Sequence, residues 1–357
     1  MRRLPLPTLL ELIGDGYPVQ EIDLSGLDLG GATLVRVKFI KCNALGTRFT
    51  GADASEALFN ECTMDQSIWT GSRLHKTNFV NCQISDARFD EIDGGKSRWL
   101  SARLDRAQFN RARLDKAAFI RGNLDKACFS EASLTKASFV ETGLDETDFS
   151  RATLVKTIYI KTDFSRTTFK GAIFDNPIFV KVHLADLDFS GMKVPRIQAS
   201  SCDLSGTRWV GSDVSFGNFY RSKLAGADFS RATGEKSMFT ESDLTGVLAQ
   251  SGRFPLASFQ KVEARGADLS GSDLTCTPWT EARCHQTNFS GANLSFADFS
   301  HADLSGAILQ RASLGRAHFH RAKEATADFS GSTRSLARPD DPERGEAEDF
   351  QPRSIEG

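Results

Sequence analysis

From Leu24 to Phe329 a large apolar residue recurs at every fifth position, with no insertion or deletion. Of the 62 positions in this series, 24 are Phe and 20 are Leu, all four Trp of the chain are present, and Met64, Ile84, Tyr159, Val194 and Val214 fill five more. The exceptions are Ala44, Ala54, Gly94, Ala199, Gly234, Ala249, Ala264, Cys284 and Glu324. Two residues before each centre the chain is usually small, as at Ala102, Ala107, Ala112 and Ala117, and polar residues fill the places between. Neither the 3.6-residue period of a helix nor the 2.0-residue period of a strand accommodates this spacing. A chain that turns a corner every five residues does. The centre points inward, and the small residue lets neighbouring backbones close up beside it.

Leu favours centres numbered in 4 and Phe those numbered in 9, so four pentapeptides per turn place like residues on opposite walls. One such turn cannot stand alone. Burial of each Leu or Phe contributes roughly 1.5–3 kcal/mol, against about 1–2 kcal/mol for ordering each backbone residue. Stacking on neighbouring turns supplies the rest. The stretches ADLSG (267–271 and 302–306), ANLSF (292–296) and ADFSR (227–231) carry the pattern A-(D/N)-L-x-x, which resembles the pentapeptide-repeat family. The resemblance covers about 22–331. It implies an all-β solenoid, a right-handed quadrilateral β-helix of about fifteen coils, stacked at roughly 4.8 Å into a rod on the order of 70 Å long.

The flanks read differently. Residues 1–21 form an N-terminal cap: Pro7, a capping box of Thr8 with Glu11, and the apolar Leu9, Leu10, Leu12 and Ile13 predict a short helix over 6–14. The array then runs in two parts, 22–175 and 200–331. Between them, at 176–199, Pro177, Val182, Leu187, Met192 and Ile197 take the small position and predict a wider or bent coil. The tail 332–357 is acidic, lacks an apolar period and is expected to be disordered.

Residues twenty apart share a wall, and one wall stands out. Lys76, Lys96, Lys116, Lys136 and Lys156 form a ladder of cations at one position. Four places on run Val80, Leu100, Ile120, Val140, Ile160 and Val180, where the other walls are mostly polar, as at Asp65, Ser85, Asp105, Asp125 and Asp145. Beyond 199 the lysine position holds Phe216, Leu256 and Phe296, interrupted by Lys236 and Cys276. These fourteen lysine, aliphatic and aromatic residues are the candidate partner-binding set. β-branched residues suit strands wherever they lie, and lysine stems can cover apolar neighbours. Yet an apolar stripe over six coils reaches the size that marks an interaction site. The expected partner is a protein with an acidic rim, or a second copy of the chain.

Composition narrows the chemistry. The 357 residues carry a net charge of −2, which demands neither nucleic acid nor membrane. Too short an apolar run at the start for a signal peptide, and no stretch near the ~20 apolar residues of a membrane span, predict a cytoplasmic protein, and the resemblance implies a bacterial one. Seven scattered cysteines suit a reducing setting. Cys42, Cys62, Cys82 and Cys202 fall at the small inward position, while Cys128 and Cys276 should face out. His318 and His320 flank Phe319 and should also face out, without a third ligand. No nucleophile elbow, phosphate-binding glycine loop or HExxH is present. No catalytic, cofactor-binding or metal-ligating residue is therefore expected, and no small-molecule substrate. Direct nucleic-acid binding is disfavoured, because exposed aromatics for base stacking are few.

The resemblance itself offers two functions. Some pentapeptide-repeat proteins imitate duplex DNA and bind DNA gyrase, which requires an acidic surface. Here residues 96–170 carry fifteen Lys and Arg against nine Asp and Glu. The N-terminal segment LLELIGDGYPVQEIDLSGLDLGGA (9–32), leading into a long uninterrupted array, looks like the pentapeptide-repeat proteins associated with type VI secretion. That implies a non-catalytic scaffold acting as an accessory or adaptor of a secretion machine.

Overall fold

The computed structural model describes residues 1–164, 166–338 and 340–350, and it divides into two compact units, Met1–Asp203 and the stretch from Leu204 onward. Each unit is a parallel β-solenoid. In the first, Asp28, Arg48, Ile68, Arg88 and Gln108 bridge in succession; in the second, Asp228, Leu248, Asp268, Asn288 and Ile308 do the same. A centre donates its N–H to the carbonyl nineteen residues on, as Leu104 does to Asn123 at 2.7 Å. The residue before it donates to the carbonyl twenty-one back, as Arg103 does to Cys82 at 2.9 Å. Both directions of the ladder are thus filled, which satisfies the backbone groups that a corner every five residues would otherwise leave exposed.

The corners set a conformational demand. Ala107 N–H closes the turn onto the Leu104 carbonyl at 3.0 Å, and Arg106 between them sits at φ 59°. The equivalent place recurs through both units, at φ values of 50 to 62° wherever it is not glycine. Left-handed backbone costs an L-residue roughly 1–2 kcal/mol, so the inter-coil ladder must offset that cost at almost every corner.

One wall of the first unit is regular enough to form a ten-stranded parallel sheet, running from Val19–Gln20 through Lys38–Ile40, Leu58–Asn60, Asn78–Val80, Arg98–Leu100, Ala118–Ile120, Ser138–Val140, Ile158–Ile160 and Ile178–Val180 to Gln198–Ser200. The β-branched and aliphatic residues of this wall favour extended backbone. On one wall the register of twenty continues into 176–199, the stretch for which a wider or bent coil is expected: Ile158, Ile178 and Gln198 pair in line. There Val182, Leu187 and Ile197 are buried in the slot that alanine fills elsewhere.

Inside, the Phe centres form two columns. Phe39, Phe59, Phe79, Trp99, Phe119, Phe139 and Tyr159 stack face to face, with centroids 4.1 to 5.8 Å apart. Phe49, Trp69, Phe89, Phe109, Phe129 and Phe149 form the facing column and meet the first edge-on, as Phe59 meets Trp69 at 88°. Stacked and edge-to-face pairs are the two favourable arrangements of the aromatic quadrupole. Where a centre lacks a side chain, a neighbour fills the space. A Cβ on Gly234 would lie 2.5 Å from the Phe254 ring, and one on Gly94 would meet Leu114 at 2.9 Å and Ile92 at 3.2 Å.

Each of the four buried Trp residues donates its indole N–H to a Ser or Thr hydroxyl two residues earlier: Trp69 to Ser67, Trp99 to Ser97, Trp209 to Thr207 and Trp279 to Thr277, at 2.9 to 3.0 Å. The small slot before a Trp thus carries a hydroxyl rather than a methyl. Cys42, Cys62 and Cys82 occupy the same slot in other coils, buried and pointing their thiols at the carbonyls of Val19, Phe39 and Phe59. All seven cysteines are free.

Two expectations at the ends are corrected. Helix α1 (Leu6–Gly14) has Pro5 at its N-cap and no side-chain cap, so Thr8 and Glu11 lie within the helix instead of forming a capping box. Its Leu9 and Ile13 are buried. The tail is not devoid of structure over 332–338 and 340–350. It forms a 3-10 turn at Arg334–Leu336 and helix α2 (Pro342–Asp349), with the Asp341 carboxylate accepting the Arg344 N–H. The sequence hid this helix because its apolar face is nearly absent and it is held by charge. The remainder of the expected tail, 351–357, lies outside the described residues.

Ser97→Ala leaves the Trp99 N–H buried without an acceptor and is expected to cost about 1–3 kcal/mol. In a thermal-unfolding double-mutant cycle with Trp99→Phe, most of that loss should vanish; zero coupling would show that the hydroxyl does not matter.

Candidate interaction surface

The sequence-predicted wall exists in the first unit, and its two ladders differ in exposure. Lys76, Lys96, Lys116, Lys136 and Lys156 all occupy left-handed corners, with φ between 55 and 62°. Their side chains therefore leave the coil at its edges. Lys76 reaches Glu56 at 3.3 Å, and Glu56 also takes Arg36 at 2.9 Å, so this end of the ladder is neutralised. These two cations hold the Glu56 carboxyl below its usual range, Arg36 the more strongly. Lys96, Lys116, Lys136 and Lys156 make no ion pair among the described residues. Asp115, the acid nearest to them in sequence, is already occupied: one oxygen accepts the Ser133 hydroxyl at 2.6 Å and the Thr135 N–H at 3.0 Å.

Beside these corners lies a cleft of about 400 Å³ lined by His75, Asp93, Lys96, Arg113, Lys116 and Lys136, among others. Gly95 makes the dent, since its neighbours in the column are His75 and Asp115. A Cβ at Gly95 would lie 3.3 Å from His75 Nδ1.

The aliphatic ladder is less exposed than the pattern suggested. Val80, Leu100, Ile120, Val140 and Ile160 end successive strands in perfect register, and all are half-buried. Only Val180, at 37% exposure, stands clear, because residue 200 above it is Ser. Side chains stacked at strand spacing cover one another, so a column of outward aliphatics shields most of its own area.

In the second unit the corner residues Phe216, Leu256 and Phe296 are 49%, 48% and 49% exposed. They too take left-handed φ, of 60 to 61°. Lys236 Nζ lies 5.6 Å from the Phe216 ring centre, and the Arg316 guanidinium 5.7 Å from that of Phe296. Met238, 44% exposed, lies two residues beyond Lys236. Cys276 completes the column and, like Cys128, is half-buried rather than open. Burial raises the Cys128 thiol above its usual range, which makes it a poor nucleophile.

One cluster escaped sequence reading. His320 is not outward: it is buried beneath α2, with Nδ1 2.5 Å from Asp340 and Nε2 3.2 Å from Glu348. His301 Nε2 reaches the same Glu348 oxygen at 3.1 Å. The signal was a His nineteen residues before another, but the acids came from a segment whose docking no local pattern announced.

The family model "Pentapeptide repeats (8 copies)" matches residues 20–53, 102–139, 144–191, 218–275 and 282–333, and the model "Pentapeptide repeat region" matches 48–119. The chain belongs to the pentapeptide-repeat family. No curated protein matches it. Among solved structures, it is similar to QnrB1, a plasmid-mediated fluoroquinolone resistance protein, at 17% identity over 45% of this chain and 85% of that one, with a TM-score of 0.40. It is also similar to HetL, involved in heterocyst differentiation regulation, from Nostoc sp. strain PCC 7120, at 19% identity over 92% and 96% of the two chains, with a TM-score of 0.17. As a pentapeptide-repeat protein the chain is built on the coil.

The half-burial of the aliphatic ladder has a consequence. Ile120→Asp places a carboxylate between Leu100 and Val140 and is expected to cost about 1–3 kcal/mol, whereas Ile120→Thr keeps the β-branch and should cost less than half as much. Melting temperatures of the two variants check this; equal melting would mean the ladder is fully solvated.

Proposed function

We propose that this pentapeptide-repeat protein is a non-catalytic scaffold that binds a protein partner through its corner ladders, the lysines of the first unit and the aromatics of the second. The observation that carries this reading is the set Phe216, Leu256 and Phe296. Glycine or a long charged residue is what a left-handed, solvent-facing corner ordinarily takes, since a bulky apolar group there gains little packing and bears the backbone cost. Exposed aromatics beside cations are the composition of interface hot spots. Lys96, Lys116, Lys136 and Lys156, lacking acids of their own, suit an acidic rim on the partner. The free thiols favour a reducing, cytoplasmic setting.

For the partner's identity, the N-terminal segment 9–32 supports an adaptor role in bacterial type VI secretion. The alternative is a DNA mimic that binds gyrase, and the surplus of basic residues over 96–170 weighs against it. A second copy of the chain remains the third occupant.

Phe216→Gly with Phe296→Gly should preserve or raise the melting temperature, since glycine adopts this backbone freely. Captured material from a bacterial lysate, identified by mass spectrometry, is then compared for the native chain, this variant and Lys96→Glu, Lys116→Glu, Lys136→Glu. Secretion sheath or spike components lost from either variant support the adaptor; gyrase subunits support the mimic. Identical capture by all three proteins overturns the corner-ladder reading.

A further inference from the structure

Helix α2 meets the solenoid through a buried histidine held between two carboxylates. His320 Nδ1 lies 2.5 Å from the Asp340 carboxylate and Nε2 3.2 Å from Glu348 Oε2. Neutral imidazole has one N–H, so one of these contacts would set a nitrogen lone pair against a carboxylate oxygen. The ring is 4% exposed, and water cannot relieve the conflict. Either both nitrogens carry a proton, or a metal cation takes the place of one of them. His301 Nε2, 3.1 Å from the same Glu348 oxygen, shows where.

We infer that His301 Nε2, His320 Nε2 and Glu348 Oε2 form a binding site for a zinc-class divalent ion. One ligand atom from each of the three residues lies within 4.8 Å of the other two. Zinc bonds of about 2.0–2.2 Å to nitrogen and oxygen put tetrahedral ligands about 3.3 Å apart, close to the 3.1 and 3.2 Å seen here. Two imidazoles with one carboxylate suit zinc better than calcium or magnesium, which prefer all-oxygen shells.

The surroundings fit as well. Asp340 accepts the His320 Nδ1 proton and so turns the Nε2 lone pair toward the ion, the arrangement that orients metal-bound histidines. Arg344 Nε holds the other Glu348 oxygen, Oε1, at 2.8 Å and leaves Oε2 facing the histidines. Arg321 Nε stands 3.7 Å from Oε2, but its terminal nitrogen is engaged at 2.5 Å by Asp349. Three carboxylates, Asp340, Glu348 and Asp349, therefore outweigh two guanidiniums before the ion arrives.

With three protein ligands, the fourth position is left to water. The ion would fasten α2, an eight-residue helix too short to persist alone, onto the coils that carry His301 and His320. Metal would thereby control whether α2 lies against the corners that carry His301 and His320.

Calorimetry on chelator-stripped, tag-free full-length protein with zinc chloride should show one ion per chain with sub-micromolar affinity. Glu348→Gln and His301→Gln, the latter at an exposed corner where folding is not at risk, should each weaken binding at least about 100-fold, and Asp340→Asn about 10–100-fold. Zinc should slow tryptic cleavage at Arg344 in the native chain but not in His301→Gln. Absence of stoichiometric binding, or binding unchanged in His301→Gln, would overturn the site; cleavage that instead depends on pH and not on zinc would mean that a proton is the missing cation.

Discussion

Everything in this molecule follows from one constraint: backbones twenty residues apart must lie at strand spacing on every wall while the chain turns each five residues. That forces the inter-coil hydrogen-bond ladder, and the ladder forces the left-handed corners seen at Arg106, Lys116 and Phe216. It also forces identity of columns. A residue's neighbours are those twenty before and after it, so Phe79 lies on Phe59 and under Trp99, and Ile120 lies between Leu100 and Val140.

Column identity would be ruinous for charge if like residues repeated, and most columns avoid it. Glu91, Arg111, Glu131 and Arg151 alternate along one corner, with Arg111 pairing Glu91 and Arg151 pairing Glu131. Asp86 with Arg106, Glu141 with Lys161 and Arg221 with Glu241 repeat the device elsewhere. Exposed pairs of this kind contribute little singly, roughly 0–1 kcal/mol, but they prevent stacked repulsion. Lys96, Lys116, Lys136 and Lys156 break the rule, and so do the aromatic corners of the second unit. Asp105 and Asp145 also share a column, but Arg103 and Arg166 meet them, so the lysines without such partners are where binding is to be sought.

The same logic separates core from function among the unusual residues. Gly94 and Gly234 look like failures of the repeat, yet Ile92 and Phe254 fill their places. The Ser or Thr before each Trp looks like ordinary variation in a small slot, but it satisfies the indole N–H. This last signal was legible in SIW, SRW, TRW and TPW, since a buried indole needs an acceptor and only one position can reach it.

The sequence by itself determined the solenoid, its inward and outward positions, the facing aromatic columns and the lysine ladder, because a strict period leaves one arrangement in which every large apolar residue is buried. It could not determine how much of the aliphatic ladder is exposed, since that depends on the side chain stacked in the next coil; half-burial of Ile120 is a property of three coils together. Nor could it foresee α2. A helix without an apolar face is placed by polar contacts, through Arg321, His320 and His301, and such groups reveal their partners only once the chain has brought them within reach. Period is local and readable; the meeting of Glu348 with two histidines from the coils is not.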